Sequence, residues 1–151
     1  MIKIKQSKTA DTRSCDYTSV SKQTLLASSL QHIDDVKKGL DFFKEMLNDS
    51  AVNHDFDKIT DLDSFHSDFI TGFKNTTWYD KHRKINRHHI SSDDGVPKDI
   101  NLIDVLEYIT DCVMAGKART GEVFPLDLNV EVLKTAFNNT VDLLKNNVTV
   151  E

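Results

Sequence analysis

Histidine and aspartate, two residue types that bind divalent metals, recur along this chain at intervals of a helix or two. The pair His54-Asp55 stands between an upstream histidine and a downstream series that ends in an acidic residue: His32, then His82, His88, His89 and Asp111. Neutral imidazoles and carboxylates at such intervals are what a metal site needs when its ligands come from several packed helices. The spacing predicts a metal-dependent hydrolase.

Length and charge limit the classes of function. At 151 residues the chain is long enough for one core and too short for two comfortable domains, so we expect one domain. With 19 Lys and Arg against 24 Asp and Glu, the net charge of -5 gives no general attraction for nucleic-acid phosphates or an anionic membrane. Neither long nucleic acid nor a membrane is an expected partner.

Cysteine content and the N-terminus favour a cytoplasmic protein. Cys15 and Cys112 are too few for a disulfide framework, and no apolar run approaches the roughly 20 residues of a membrane span. The first residues, Met1-Ile-Lys-Ile-Lys, lack the apolar core of a signal sequence. We therefore expect a protein of the reducing cytoplasm.

Apolar periodicity predicts an all-α fold, a single-domain helical bundle of about six helices. Residues 1–18 are polar and aperiodic, which indicates a flexible arm or at most a short edge strand through Ile2 and Ile4. The helical domain is expected to cover residues 19–151. Only 5 Gly and 2 Pro interrupt the chain, which argues against a sheet of three or more strands.

Two predicted helices bring histidines onto apolar faces. Between Ser21 and about Asn48, apolar residues recur at steps of three, four or seven: Leu26, Leu30, Ile33, Leu40, Phe43 and Leu47. His32 lies beside this stripe and is expected to face inward. Farther on, one continuous helical face is predicted by residues at i, i+4, i+7 and i+11: Trp78, His82, Ile85 and His89.

An acidic stripe accompanies the helix that Asp99 or Asn101 is predicted to cap. Asp104, Glu107 and Asp111 are spaced three, four and seven residues apart, so they share one face. Like charges at i, i+4 cost about 0.2 to 0.5 kcal/mol per pair. The stripe is either a solvated face or a place where a metal or a basic substrate group relieves the repulsion.

These residues resemble, in type and order, the ligands of the HD-domain metal-dependent phosphohydrolase superfamily. Its H…HD…D order is matched by His32, His54-Asp55 and Asp111, with Lys58 completing the string His-Asp-x-x-Lys. An uncharacterised group of small HD-like bacterial and phage proteins is similar in a longer string, Trp78-x-x-x-His82-x-x-x-Asn86-x-His88-His89 followed by Glu107-x-x-x-Asp111. The resemblance covers roughly residues 28–118.

The resemblance implies an HD-domain-like fold and hydrolysis of a nucleotide or nucleotide-like phosphate ester. The implied metal ligands are His32, His54, Asp55 and Asp111. Asp55 and Lys58 would be catalytic, and the substrate-binding groups would be Lys58 with one or more of His82, His88 and His89, unless these histidines hold a second metal. Because imidazole is prominent, the metal is expected to be Mn, Fe, Ni or Zn, although Mg would also be accommodated.

Each assignment has an alternative. Asp55 could simply cap a helix, and His32 could be a core histidine. His82 and His89 could belong to a core stripe with Trp78. Asp104 competes with Asp111 as the last ligand, although small and apolar residues follow Asp111, as is usual after the last aspartate of the superfamily.

The alternative function is a non-catalytic HD-like helical module. Such a module would bind a nucleotide or a structural metal and act through a protein partner, and the chain could also form a homo-oligomer. An open coordination position would argue for the enzyme, whereas a site closed by protein ligands would argue for the module.

Overall fold

A computed structural model describes residues 1–9, 11–91 and 95–151, and helix dominates them. The structure is 62% helix and 4% strand, which confirms the all-α prediction. The helices are α1 (Lys22–Asn53), α2 (Asp57–Thr60), α3 (Leu62–Phe69), α4 (Thr77–Ile85), α5 (Leu102–Thr120) and α6 (Val130–Asn147). Within the described ranges, five of these helices have eight residues or more, while α2 is a single turn of 4 residues.

Two short strands join the beginning and the end of the chain. Strand β1 (Ile2–Ile4) pairs in parallel with β2 (Val148–Val150), in a register that places Ile2 opposite Val148. The start of the predicted arm is thus a strand. In the described part of the chain this two-stranded ribbon is the only sheet, which agrees with the expectation that no sheet of three or more strands forms.

The chain divides into two compact units. The first consists of Met1–Glu45 and Asp142–Glu151, and the second of Met46–Val141. The predicted boundary between residues 18 and 19 lies inside the first unit. No helix in the described ranges has the combination of length and apolarity that a membrane span requires.

In the first unit, the N-terminal segment hydrogen-bonds to the polar side of α1. The amide of Gln31 donates to the Lys5 carbonyl at 2.7 Å, and the hydroxyls of Thr9 and Ser28 form a hydrogen bond. Four of the six residues of the predicted apolar stripe are 57 to 63% exposed, so this part of the stripe is not a core: Leu26, Leu30, Ile33 and Leu40. His32 beside them is exposed too, so the expectation that it faces inward is wrong.

The core of the second unit forms around α5 and α6. Its buried cluster consists of Ile90, Ile100, Val105, Tyr108 and Ala136. Asn101 caps α5, as one of the two alternatives predicted: its side chain accepts from the Ile103 amide at 2.8 Å. The Asp104 carboxylate in turn accepts from the Asn101 amide at 2.9 Å, which completes a capping box. The start of α5 is thereby fixed, and with it the positions of the acidic residues one and two turns later.

Candidate metal centre

His54 and Asp55 lie where helical geometry is interrupted. Helix α1 ends at Asn53 and α2 begins at Asp57, and Asp55 between them has a φ of 52°. A positive φ is uncommon outside glycine but is tolerated best by Asp and Asn. The N-cap of α2 is Phe56, with no side-chain hydrogen bond, so Asp55 does not cap that helix.

The Asp55 carboxylate is the centre of the site because both of its oxygens meet basic side chains. Its Oδ1 lies 3.5 Å from His82 Nε2 and 3.4 Å from His88 Nε2. Its Oδ2 lies 3.5 Å from His54 Nε2 and accepts a hydrogen bond from the Lys58 ammonium. One carboxylate therefore contacts groups from three separate parts of the second unit.

These side chains form two groups that can hold a metal ion. The first is His54, Asp55 and His88, and the second is Asp55, His82 and His89; in each, one ligand atom per residue lies within 4.8 Å of the others. Ligands about 2.0 to 2.2 Å from a tetrahedral cation are roughly 3.4 Å from each other. The contacts of 3.4 to 3.5 Å around Asp55 fit that spacing. Both groups share Asp55.

Three buried polar atoms of the cluster lack hydrogen-bond partners among the described residues: Asp55 Oδ1, His88 Nδ1 and His88 Nε2. Of these, Asp55 Oδ1 and His88 Nε2 face each other across 3.4 Å. Buried polar groups without partners are rare in folded proteins because desolvation is costly. A cation between these atoms would satisfy both, so the residues present fit a metal ion.

Asp57 orients His82. Both Asp57 oxygens lie close to His82 Nδ1, at 3.0 and 2.9 Å, and Asn86 Nδ2 donates to Asp57 Oδ1 at 2.9 Å. Asp57 is only 2% exposed. A carboxylate on Nδ1 holds the proton there and leaves the Nε2 lone pair free for a metal, as is usual for metal-bound histidines.

Glu107 lies beside two histidines at once and is hydrogen-bonded to His54. Its Oε1 lies 2.9 Å from His54 Nδ1 and 2.8 Å from His88 Nδ1, and the Ser50 hydroxyl donates to Oε2. The Nε2 atoms of both imidazoles then face Asp55. Burial raises the pKa of Glu107, but contacts with His88, Ser50 and His54 outweigh it and lower that pKa to about 2. Glu107 is thus a carboxylate at neutral pH.

The charge of the cluster suits a cation. Burial raises the pKa of Asp55, but Lys58, with smaller effects of His54 and His82, outweighs burial and lowers it. Four carboxylates meet in the cluster, and Lys58 is its one permanent cation among the described residues; the four are Asp55, Asp57, Glu107 and Asp111. Divalent cations would balance this negative excess.

His88 and His89 reach the site from a non-helical segment. Helix α4 ends at Ile85, and Asn86 is extended with φ -94° and ψ 106°, so the predicted continuous face from Trp78 to His89 is wrong beyond Ile85. The two imidazole rings lie with centroids 4.3 Å apart. Burial, followed by the charges of His88 and His82, lowers the pKa of His89 to about 4, so His89 is neutral at pH 7.

The acidic stripe of α5 is divided between two roles. Asp104 is buried and bound to Arg87, whose Nε and Nη2 donate to its two oxygens at 2.8 and 2.9 Å. Asp111 instead has its Oδ1 3.7 Å from His54 Nε2. Of the two alternatives for the last ligand, Asp111 is the one beside the cluster, and Asp104 belongs to the helix cap.

Two of the four predicted ligands, His32 and Asp111, are not members of the two ligand groups found among the described residues. His32 is exposed and belongs to the first unit, whereas Asp111 belongs to the second unit and lies beside His54. Two carboxylates of the site were not predicted, Asp57 and Glu107. Glu107 could have been suspected from its place in the acidic stripe, whereas no sequence signal pairs Asp57 with a histidine 25 positions later.

The structure thus brings the remaining predicted residues together within the second unit: His54, Asp55, Lys58, His82, His88, His89 and Asp111. A scan against protein-family models, a search of curated proteins and a search of solved structures found no match to this chain. The relation to the HD-domain superfamily therefore stays a prediction, based on the residues and their order.

Proposed function

We propose that this protein is a metal-dependent phosphohydrolase that acts on a nucleotide or nucleotide-like phosphate ester. The observation that carries the proposal is the convergence of four imidazoles on one carboxylate. Three of them place Nε2 within 3.5 Å of Asp55, and the fourth, His89, places Nε2 2.8 Å from His82 Nε2. Because the two groups share Asp55, that residue would contribute to two cation sites.

The side chains of the cluster would have different roles in such a reaction. A bound divalent cation supplies Lewis-acid polarisation of the phosphate and makes water a better nucleophile near neutral pH. Asp55 would hold the cations together with the imidazoles, and the geometry favours ligation over substrate binding for His82, His88 and His89. Lys58, which donates to Asp55 Oδ2, is placed to neutralise charge that develops on phosphate oxygens.

Access to the site supports an enzyme over the non-catalytic module. Each ligand group contributes three protein ligands, which leaves coordination positions for water and substrate. His82 and His89 also line a cavity of about 400 Å3. This volume falls within the range of small-molecule sites, about 300 to 1,000 Å3.

The test combines metal analysis with a phosphate-release screen. The purified protein is loaded in turn with Mn, Fe, Ni, Zn and Mg and assayed against nucleoside mono-, di- and triphosphates and cyclic nucleotides. We expect turnover with at least one transition metal and its loss in Asp55→Asn. The matched control is Asp63→Asn, an exposed aspartate on α3, which should keep full activity.

The two functions predict different results. Tight nucleotide or metal binding without turnover under any of these metals would replace the hydrolase with the binding module. If no metal is found after loading, and chelated and loaded protein melt at the same temperature, both the catalytic and the structural metal site are excluded.

A further inference from the structure

The cavity at His82 and His89 is also lined by aromatic side chains. Five aromatic side chains line it, and we call them the aromatic recess: Phe65, Phe69, Phe73, Trp78 and Tyr79. Trp78 is 3% exposed and stacks on His82, with ring centroids 4.5 Å apart and planes 20° apart. The recess is therefore continuous, ring against ring, with the candidate metal ligands.

Backbone strain places one of these rings. Gly72 and Phe73 both adopt left-handed conformations, with φ of 66° and 59°. Glycine takes this conformation freely, but for a bulky residue such as Phe73 it is a genuine outlier, and such outliers cluster at functional sites. The strained turn puts the Phe73 ring 5.1 Å from Tyr79, on the cavity wall.

The recess is not filled by the protein itself. Phe69 remains 58% exposed, although its ring contacts Phe65 and Phe73 at centroid distances of 5.9 and 5.7 Å. Aromatic rings stack on planar partners with little dependence on the partner's identity, as in the binding of nucleobases. The exposed ring, held by two others, is available for such a partner.

Two cations line the same cavity. Lys58 is bound to Asp55, whereas the Arg119 side chain forms no ion pair or hydrogen bond within the part of the chain that the structure describes. Arginine recognises phosphate through paired donors. The cavity thus brings together aromatic rings, metal-binding imidazoles and a guanidinium available for an anionic group.

We propose that the aromatic recess binds a planar aromatic ring of the substrate and that Phe69 and Phe73 determine specificity. This inference rests on the proposed function: the ligand is a phosphate ester whose phosphate lies toward His82, His89 and Arg119. The ring belongs either to a nucleobase or to a simple aryl group. A sugar phosphate without a ring of this kind should bind poorly.

Trp78 provides a direct readout of binding, because it is the only tryptophan of the chain and lies in the recess. Its fluorescence is titrated with adenosine 5′-monophosphate, phenyl phosphate and ribose 5-phosphate, using chelated protein and again protein loaded with Zn. We expect the two ring-bearing esters to change the signal at concentrations at least tenfold lower than ribose 5-phosphate. Tighter binding of the nucleotide assigns the recess to a nucleobase, and tighter binding of phenyl phosphate assigns it to an aryl group.

Substitutions of Phe69 distinguish the contribution of ring stacking to ligand binding from general effects of mutation. Phe69→Ala should weaken binding of the ring-bearing esters roughly tenfold and leave ribose 5-phosphate unchanged, because one base–aromatic stack commonly contributes about that much. Phe69→Tyr, which retains a ring, should bind as the wild type does. The control is Phe137→Ala, since Phe137 on α6 is 57% exposed, matching Phe69, but does not line the cavity.

The outcomes distinguish this inference from the proposed hydrolase. Two results would contradict ring binding in the aromatic recess even if the protein releases phosphate. One is equal affinity for ribose 5-phosphate and the ring-bearing esters. The other is unchanged binding by Phe69→Ala in a protein whose circular dichroism is that of the wild type. Ring-dependent binding without phosphate release under any metal would overturn the hydrolase and leave the recess as a binding site.

Discussion

His82 Nε2 and His89 Nε2 lie 2.8 Å apart. With Asp57 beside His82 Nδ1, a proton on that nitrogen leaves a lone pair on His82 Nε2, which then accepts a hydrogen bond from His89. A cation held by both residues would take a lone pair from each ring in place of this hydrogen bond. The contact thus marks a place where His82 and His89 would hold a metal ion together.

Metal stoichiometry tests the sharing of Asp55 by two ligand groups. We predict two divalent ions per chain, both lost in Asp55→Ala and one lost in His89→Ala, because His89 belongs to only one group. Elemental analysis after dialysis measures this. His66→Ala, which changes an exposed histidine of α3, should keep both ions, and a wild type that retains a single ion would contradict the sharing of Asp55.

Asp57→Asn should weaken metal binding although Asp57 is not a proposed ligand. Loss of the charged acceptor on His82 Nδ1 removes the group that orients the ring and raises its basicity, and such changes commonly cost 10- to 100-fold in affinity. Competition with a chromophoric chelator gives the affinity directly. Asp63→Asn on α3 is the control, and equal affinities for the two variants would show that Asp57 has no orienting role.

The sequence was sufficient for the helical class and for most of the site because these depend on residue types and periodicity. Regular spacing predicted the α1 helix, and the pair His54-Asp55 marked the centre of the site. His88 and His89 were placed less well, since a helical face assumes that the helix continues, and α4 ends at Ile85. The end of a helix depends on contacts such as that of Asn86 with Asp57, which are not local.

Other errors came from deciding which face of a helix is covered. The periodicity of α1 identified an apolar stripe but not that the N-terminal segment hydrogen-bonds to the opposite side, through contacts such as Gln31 with the Lys5 carbonyl. The expectation that His32 faces inward rests on the assumption that this stripe faces a core. Asp57 was missed for a related reason: its partner, His82, lies 25 residues away, and no local pattern connects them.

Metal affinity should fall as the solution becomes acidic. Imidazoles bind metals only when neutral, and their ordinary pKa is about 6.5. Burial lowers the pKa of His88, but the contact with Glu107 and nearby carboxylates outweighs burial and raises it, so protons compete with the metal for His88 as the pH falls, whereas His89, with a pKa of about 4, stays neutral. We expect the rise in melting temperature caused by Zn to be large at pH 7.5 and much smaller at pH 5.5. Differential scanning fluorimetry with and without chelator measures it. A rise that is independent of pH would indicate ligands other than histidine.

Asp104→Ala should destabilise the fold without removing metal, because Asp104 completes the α5 capping box and pairs with Arg87. The expected loss is about 1 to 2 kcal/mol, the usual cost of a lost cap, because the Arg87 side chain is 39% exposed and water can solvate it without Asp104. This corresponds to roughly 2 to 4 °C per kcal/mol in melting temperature. Asp99→Ala is the matched control: Asp99 pairs with the same arginine at 3.1 Å, but its side chain is 80% exposed, so the change should cost no more than about 0.5 kcal/mol. Thermal melts of both variants measure the loss of stability, and elemental analysis measures whether metal is retained. Together they distinguish a structural role of Asp104 from metal ligation. Loss of metal from Asp104→Ala at unchanged stability would make Asp104, not Asp111, the last ligand of the site.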